Sequence, residues 1–243
     1  MNYELPGKSA LVTGGAKRLG RAIALELARA GADVTITYRH SADDAVETVD
    51  AIEQLGRRGF AVECDVRSEE SVRAAIAAVM AEHGHLDILV NNAGVFQSAP
   101  LAEITLEQWD EVFEVNARGP FLVSREALPH LRAACGRIIH LGSLGGMRAW
   151  TDHAHYCASK AALHMLTQAQ AKAFAPEVAV NCVAPGLIDL RDQDDDGAER
   201  FAAKTPMRRN GTAEDVARAV LFFATAPEFI TGQILAVDGG LGL

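Results

Sequence analysis

The chain has 243 residues, of which 49% are hydrophobic and 23% charged, with a formal net charge of −9. This length and composition predict one large domain, residues 1–243, with a substantial core. The acidic balance argues against a nucleic-acid partner. We also expect no secretory signal and no membrane span. Four scattered cysteines without a C-x-x-C pair favour a reduced, cytoplasmic protein.

Short apolar runs alternate with longer amphipathic segments, which predicts strands alternating with helices. In chain order the predictions are strand Ser9–Thr13, helix Leu19–Ala30, strand Val34–Tyr38, helix Ala42–Leu55, strand Phe60–Cys64, helix Ser68–Glu82, strand Leu86–Val90, helix Leu106–Ala133, strand Arg137–Leu141, helix His155–Ala173, strand Val178–Val183, helix Ala213–Ala224 and strand Ile234–Val237. Ser68 is a candidate N-cap, and Pro129 is expected to kink its helix or mark its last turns. The order predicts an α/β fold with a doubly wound parallel sheet and helices on both faces.

An acidic segment follows the sixth strand and contains Asp189, Asp192, Asp194, Asp195, Asp196 and Glu199. By composition alone it is typical of a solvated surface loop. However, doubly wound sheets bind ligands beyond the carboxyl ends of their strands. This position favours a substrate lid over residues 187–210.

A glycine-rich turn, Thr13-Gly14-Gly15-Ala16-Lys17-Arg18-Leu19-Gly20, connects the first strand to the first helix. Glycines allow a pyrophosphate to approach the backbone, and a helix N-terminus offers free N–H groups and a positive dipole end. The turn does not match G-x-G-x-x-G literally, but its place between a strand and a helix predicts a nucleotide site.

The end of the second strand indicates which dinucleotide is used. An acidic residue there binds the ribose 2′-hydroxyl, whereas a nearby arginine accommodates a 2′-phosphate. Here Tyr38 occupies the acidic position and Arg39-His40-Ser41 follow it. Arg39 can pair with a phosphate through two parallel hydrogen bonds, and Lys17 or Arg18 adds charge. We therefore predict NADPH.

Tyr156 and Lys160 are four residues apart, so they share one face of the predicted helix. A ketone that accepts hydride develops negative charge on its oxygen and needs a proton donor. We expect the Lys160 ammonium to lower the pKa of the Tyr156 phenol, because a nearby positive charge favours phenolate. Ser143, at the end of a predicted strand, can join them at a carbonyl. The trio predicts proton transfer.

These motifs, taken in order, resemble the short-chain dehydrogenase/reductase family over essentially the whole chain. Further landmarks are Cys64-Asp65-Val66, Asn91-Asn92-Ala93-Gly94, Asn116, Pro185-Gly186 and Thr231-Gly232-Gln233 to Asp238-Gly239-Gly240. The resemblance implies an oxidoreductase with a single Rossmann-like domain of about seven strands, and the residues Tyr38 and Arg39 make it an NADP-dependent one. That family's usual turn is T-G-x-x-x-G-x-G, and Arg18 stands where its middle glycine is expected.

The resemblance also implies roles for particular residues. Tyr156 is the proton donor, Ser143 orients the carbonyl, Lys160 also holds the nicotinamide ribose, and Asn116 supports a water in a proton relay. Asp65 and Val66 are expected at the adenine. Besides Tyr156 and Lys160, the implied cofactor contacts are Gly14, Lys17, Arg18, Leu19, Tyr38, Arg39, His40, Ser41, Asp65, Val66, Asn92, Ala93, Gly94, Pro185, Gly186 and Ile188.

A homotetramer is implied by the same resemblance, through the two long helices and the C-terminal strand. The apolar residues that permit such contacts, and that are equally compatible with core packing, are Phe113, Val115, Phe121, Leu122, Leu163, Met165 and Leu166. No metal is expected, because His153 and His155 lack the further ligands that would complete a site. Cys157 is interpreted as a packing residue.

Two small-molecule substrate classes remain open. The set Asn116, Ser143, Tyr156 and Lys160 resembles carbonyl reductases of the 3-oxoacyl or small-ketone type. The glycine turn with Arg18 is similar to that of pteridine reductases, in which this arginine contacts cofactor phosphate and pterin. Phe96 falls where those enzymes stack an aromatic ring on the pterin. Substrate contacts are therefore expected from Arg18, Phe96, Ser143 and Tyr156.

The sequence differs from the pattern of each of these two enzyme types at some positions. Pteridine reductases tend to carry Ser at the position of Gly94 and Asp at the position of Ser143, and a serine suits a ketone better. Leu190 replaces a threonine expected after Pro-Gly, and the acidic segment would repel an acidic acyl carrier protein. We favour a small ketone, with a pterin as the alternative. A non-catalytic nucleotide-sensing protein is disfavoured, because it should have lost Tyr156 or Lys160.

Overall fold

The computed structural model describes residues 3–190 and 202–243. The strands are β1 Ser9–Val12, β2 Asp33–Tyr38, β3 Gly59–Glu63, β4 Ile88–Asn91, β5 Arg137–Leu141, β6 Ala179–Pro185, β7 Ile188–Asp189, β8 Gly211–Thr212 and β9 Ile234–Val237. The α-helices are α1 Arg18–Arg29, α2 Ala42–Gln54, α3 Glu69–His83, α4 Leu106–Phe113, α5 Gly119–Ala133, α6 Ala154–Phe174 and α7 Ala213–Thr225.

Seven strands form one parallel sheet in the order β3-β2-β1-β4-β5-β6-β9. The predicted α/β fold with a doubly wound parallel sheet is confirmed. The chain winds outward in one direction from β1 and in the other from β4, so the loops that follow these two strands diverge. A crevice therefore opens at their carboxyl ends, where such sheets bind ligands.

Each strand of the sheet centre contributes side chains to two separate cores. On β1, Ala10 and Val12 pack into the core that contains Leu27 of α1. Leu11, between them, packs into the opposite core with Leu131 of α5. Alternate residues of a strand point to opposite faces, so a strand covered on both faces is apolar at every position. This is why the first predicted strand has no polar–apolar alternation.

The predicted helix Leu106–Ala133 is helical along its length but not uniform. It consists of α4, a π-helical segment at Glu114–Arg118, and α5. A capping box between Thr105 and Gln108 fixes its start, and Pro129 lies within its last turns. Hydrophobic periodicity does not reveal a π-helical segment, which occurs frequently at functional sites. Here the segment carries Asn116.

The sequence predicts one helix end correctly but misses two short strands. Ser68 caps α3 as predicted, since its hydroxyl accepts a 3.2 Å hydrogen bond from the Ser71 backbone N–H. The two-residue strands β7 and β8, which pair in parallel, were not predicted because they are too short to show a pattern. Their pairing joins the two ends of the predicted 187–210 lid. The part of that lid at 191–201, with most of its acidic residues, lies outside the described residues.

The apolar residues considered for subunit contacts divide between core and surface. Val115, Leu122 and Leu163 are buried in the core. Phe121 and Met165 are 42% and 64% exposed, so these two remain available for such contacts. Within the described ranges, no helix is long and apolar enough to cross a membrane. All four cysteines are free thiols.

A buried polar network links the sheet to the helices on one face. His140 of β5 accepts a 3.2 Å hydrogen bond at Nδ1 from the Asn91 amide and donates from Nε2 to the Gln170 amide oxygen at 2.8 Å. The Asn91 amide also donates to the Ser124 hydroxyl at 3.0 Å. Burial, with a smaller contribution from the Lys160 charge, lowers the pKa of His140 to about 4. The imidazole is therefore neutral at physiological pH.

This histidine is expected to destabilise the protein in mild acid. In the unfolded chain its pKa is about 6.5, so below that value the unfolded state binds more protons and stability falls as pH falls. Between pH 6.5 and 4.5 the loss attributable to His140 is on the order of 2 kcal/mol. Urea unfolding at several pH values should show a shallower pH dependence for His140→Gln. The exposed His40→Gln control should retain the wild-type dependence; equal slopes for both variants would contradict the assignment.

Candidate active site

A cavity of about 730 Å³ lies at the carboxyl ends of the central strands. Every residue predicted for the cofactor or substrate lines it, and of the predicted site residues only Asn116 does not. Lining residues that were not predicted as site residues are Gly20, Thr37, Cys64, Val95, Val115, Leu141, Gly142, Trp150, Leu187 and Leu190. Most of them adjoin a predicted motif, but Trp150 lies in an irregular loop where no sequence pattern indicates its position.

The glycine turn forms one end of the cavity. Gly14 has φ +63°, which favours glycine, and a Cβ at Gly20 would collide with the Gly14 carbonyl. Helix α1 begins within this turn, at Arg18, and its N-cap residue Lys17 makes no side-chain capping hydrogen bond. The first turn of α1 thus offers backbone N–H groups and a positive dipole end to an anion.

Asn92 holds this turn in place from the neighbouring strand. Its amide donates to the Thr13 and Gly14 carbonyls at 2.9 and 3.0 Å. The Thr13 hydroxyl accepts from the Asn92 and Ala93 backbone N–H groups, each at 3.0 Å. Asn92, predicted as a cofactor contact, lines the cavity, and its amide nitrogen also bonds the turn. Sequence spacing does not show this, because the two loops meet only through the β1–β4 pairing.

Arg18 adopts a backbone conformation that is unusual for its residue type. Its φ is +50°, in the left-handed region that favours glycine. This explains why the family pattern has glycine at that position. A side chain retained there carries a conformational cost of roughly 1 kcal/mol or more.

Two variants separate that strain from the role of the side chain. Arg18→Gly and Arg18→Ala both remove the guanidinium, but only glycine accommodates the positive φ without strain. We expect the glycine variant to be more stable than the alanine variant by about 1 kcal/mol. Urea unfolding of both proteins measures the difference. Alanine equal to or more stable than glycine would show that the backbone is not strained.

Three charged residues meet at the end of β2. Arg39 lines the cavity, and its Nη1 lies 4.0 Å from the Asp65 carboxylate. Arg67 holds the same carboxylate more tightly, at 2.6 Å between Nη2 and Oδ2. Hydrogen bonds from Arg67 are the largest cause of the lowered pKa of Asp65, about 2, although burial opposes them. Lys17 lies 3.4 Å from Asp44.

Tyr156 and Lys160 lie on one face of α6, as the spacing predicts. The Lys160 Nζ is 5.8 Å from the centroid of the Tyr156 ring and donates a 2.8 Å hydrogen bond to the Leu141 carbonyl. Burial lowers the pKa of Lys160 to about 8.

The expectation that Lys160 lowers the pKa of Tyr156 is not met in this structure. Burial raises the pKa of Tyr156 above its ordinary value, and a hydrogen bond with Ser143 only partly opposes that effect. The physical reason is that desolvation disfavours the phenolate. The phenol consequently keeps its proton at neutral pH.

Ser143 begins a short turn that follows β5. Its hydroxyl accepts a 3.0 Å hydrogen bond from the Gly145 backbone N–H, and its own N–H points to His164 Nε2 at 3.4 Å. Burial and the nearby Lys160 charge lower the pKa of His164 to about 4, so its imidazole is a neutral acceptor. The ring packs so closely that a Cβ at Gly142 would collide with it. Backbone packing thus orients the serine.

Asn116 lies behind the cavity wall and is fully buried. Its amide bonds both backbone groups of Val95, accepting from N–H and donating to the carbonyl, each at 2.9 Å. A Cβ placed at Gly94 would lie 3.3 Å from Asn116 Oδ1 and 3.7 Å from Lys160 Nζ. Asn116 therefore fixes the loop after β4 close to Lys160.

Aromatic rings form the outer wall of the cavity. Phe96 packs edge-on against Tyr156, with 4.8 Å between ring centroids, and stacks on His153 at 4.5 Å. Trp150 lies parallel to Tyr156 at 6.1 Å. Phe96 is 60% exposed, so the wall is open to a ligand. In the part of the chain that the structure describes, no group of three or more His, Cys, Asp or Glu residues could hold a metal ion.

Known proteins resemble the chain over its full length. A family model described as enoyl-(acyl carrier protein) reductase matches residues 14–242. A 3-oxoacyl-[acyl-carrier-protein] reductase of Staphylococcus aureus is 38% identical, with 96% of this chain and 98% of the relative covered.

Solved structures of similar proteins have the same fold as this chain. A dehydrogenase/reductase from Sinorhizobium meliloti 1021 is 40% identical with a TM-score of 0.95, covering 100% of this chain and 98% of that one. A blue fluorescent protein from a metagenomic library, solved in complex with NADPH, is 35% identical with a TM-score of 0.93, covering 99% of this chain and 100% of that one. The chain belongs to the short-chain dehydrogenase/reductase family, is similar to 3-oxoacyl reductases within it, and is an oxidoreductase.

Proposed function

We propose that the protein is an NADPH-dependent reductase of ketones, with Tyr156 as the proton donor. The observation that carries this proposal is a single cavity lined by Ser143, Tyr156 and Lys160 at one part and by Arg39 and the Gly14 turn at another. Residues suited to proton transfer and residues suited to a phosphorylated dinucleotide thus share one space.

The residues of the cavity fit a nicotinamide dinucleotide. A Cβ at Gly14 would lie 3.1 Å from the Ala93 backbone, so glycine there lets the turn pack against the loop after β4 while it lines the cavity. The α1 N-terminus supplies N–H donors, and Arg39 supplies a cation at the expected 2′-phosphate. When bound, this group supplies the hydride. A relative solved with NADPH supports the choice of NADPH.

The protein's contribution to the chemistry is a positioned proton. The Tyr156 phenol, kept protonated by burial, gives its proton to the carbonyl oxygen as that oxygen gains negative charge. The Ser143 hydroxyl stabilises the same oxygen by hydrogen bonding. Lys160 and Asn116 lie on the inner side, where they assist return of a proton to Tyr156. Ketone plus hydride plus one proton yields an alcohol.

The aromatic wall favours a small, uncharged ketone, and in particular a ring ketone. Phe96 and Trp150 offer flat apolar surfaces beside the Tyr156 ring. Similarity to a 3-oxoacyl reductase supports a ketone as the reacting group. A dihydropterin is the second candidate, because Phe96 is exposed for stacking and Arg18 lines the same cavity.

A substrate screen that follows NADPH oxidation tests the function. The panel contains 3-oxoacyl thioesters, cyclic and linear diketones, quinones and dihydrobiopterin, each run with NADPH and NADH. We expect turnover of ketones, with cyclic members preferred, and higher kcat/KM with NADPH. Preference for dihydrobiopterin would favour the second candidate. Equal kcat/KM with both nucleotides would refute NADPH specificity, and absence of all turnover would refute the enzyme proposal.

The oligomeric state proposed is a homotetramer, supported by the exposed Phe121 and Met165 on the long helices. Light scattering coupled to gel filtration measures the mass directly.

A further inference from the structure

We propose that Arg67 determines nucleotide specificity without contacting the nucleotide: it holds the Asp65 carboxylate and thereby leaves Arg39 available to the 2′-phosphate. This inference rests on the proposed use of NADPH. Arg67 belongs to no motif of the resemblance, and it does not line the cavity. Two arginines, Arg67 and Arg39, lie near the single carboxylate of Asp65.

The contact between Arg67 and Asp65 is extensive. Arg67 Nε lies 2.9 and 3.1 Å from the two carboxylate oxygens, and its Nη2 lies 2.6 Å from Oδ2. Its backbone N–H also donates to Oδ1 at 3.0 Å. Bidentate arginine–carboxylate pairs of this kind are among the stronger side-chain interactions. The two residues are separated by one position in the chain, so the pairing requires no long-range folding.

Arg39 is left at the edge of this pair. Its Nη1 is 4.0 Å from Asp65 Oδ2, at the outer limit of an ion pair, and its side chain is 35% exposed. The carboxylate charge is already balanced by Arg67, so little holds the Arg39 guanidinium there. Lys17 also lines the cavity, but it lies 3.4 Å from the Asp44 carboxylate. Arg39 is therefore the better placed of these two to meet a phosphate.

Removal of Arg67 changes both the charge at Asp65 and the position of Arg39. The Asp65 carboxylate becomes an unbalanced negative charge, since an aspartate of ordinary pKa, about 3.9, is still ionised at neutral pH without Arg67. It then attracts Arg39 into a close pair and repels a phosphate dianion. An NAD⁺ ribose carries a neutral 2′-hydroxyl, so its binding is affected much less. The charge that Arg67 cancels thus acts selectively on the phosphorylated nucleotide.

Calorimetric titration of the full-length protein with NADP⁺ and with NAD⁺ tests this without any turnover. For Arg67→Ala we expect the Kd for NADP⁺ to rise roughly 5- to 20-fold and that for NAD⁺ to change less than about twofold. Arg73→Ala is the matched control: it removes an arginine of the adjacent helix α3 that contacts Glu69 rather than Asp65. Its ratio of the two Kd values should equal that of the wild type.

The double variant Asp65→Asn/Arg67→Ala decides the mechanism. If Arg67 acts through Asp65, its removal in the Asp65→Asn background leaves the ratio of the Kd values unchanged. An undiminished loss in that background means that Arg67 meets the phosphate directly, and overturns the inference. An unchanged ratio in the Arg67→Ala single variant overturns it as well. If the wild-type protein binds NADP⁺ no more tightly than NAD⁺, the proposed use of NADPH is wrong, which is a separate result from the failure of this inference.

Discussion

Tyr156→Phe is expected to abolish nearly all turnover while leaving the fold and NADPH binding intact. The substitution removes only the hydroxyl. The ring keeps its edge contact with Phe96 at 4.8 Å and its parallel neighbour Trp150 at 6.1 Å, so packing holds the new side chain in place. A positioned general acid contributes about 10²- to 10⁴-fold to the rate, and among the described residues that line the cavity no other group combines a dissociable proton with this position. The expected loss in kcat is therefore at least about 100-fold.

The measurement compares kcat on the best ketone of the screen with the Kd for NADPH from its fluorescence. Tyr3→Phe, at a residue that is 45% exposed and far from α6 in sequence, serves as the control and should match the wild type. A Tyr156→Phe protein with more than about a tenth of wild-type kcat would exclude Tyr156 as the proton donor. Loss of NADPH binding together with kcat would point instead to a disturbed cavity.

Arg39→Ala is expected to change which nucleotide the enzyme prefers. A hydrogen-bonded charged pair contributes about 1.5–3 kcal/mol, so kcat/KM with NADPH should fall roughly 10- to 100-fold. The value with NADH should stay within about threefold, because a 2′-hydroxyl does not need a cation. The effect exceeds that expected for Arg67, since Arg39 itself lines the cavity.

Arg39→Lys provides a sharper comparison than the alanine variant alone. Lysine keeps the positive charge but loses the planar pair of donors that matches a phosphate. We expect an intermediate preference for NADPH, which steady-state kinetics with both nucleotides measures. If alanine and wild type show the same ratio of kcat/KM values, the 2′-phosphate is bound elsewhere, and Lys17 and Arg18 become the groups to test.

Much of this protein follows from local patterns. The apolar runs that predict strands are apolar because helices cover both faces of the sheet, as Leu11 illustrates by packing opposite to Ala10 and Val12. The predicted family is confirmed as well. Each of its motifs is a short run of residues, so the sequence shows it without knowledge of the fold. Capping by Ser68 is equally local, requiring only a hydroxyl and an N–H three residues away.

Other features depend on contacts between segments that are distant in sequence. The bonding of Asn92 to the glycine turn requires β1 and β4 to be neighbours. The raised pKa of Tyr156 requires the burial that several segments create together, which the four-residue spacing to Lys160 does not reveal. The π-helical turn around Asn116 is a backbone adjustment with no side-chain pattern.

By itself the sequence determined the sheet, the family and the residue types available for hydride and proton chemistry, because periodicity and motif spacing are properties of neighbouring residues. Only the tertiary structure decided which of those residues form ion pairs and which pack against one another. Only the folded chain brings Trp150 beside Tyr156 and places the Asp65 carboxylate between Arg39 and Arg67. Electrostatics and desolvation act through space rather than along the chain, so they emerge only when distant segments meet.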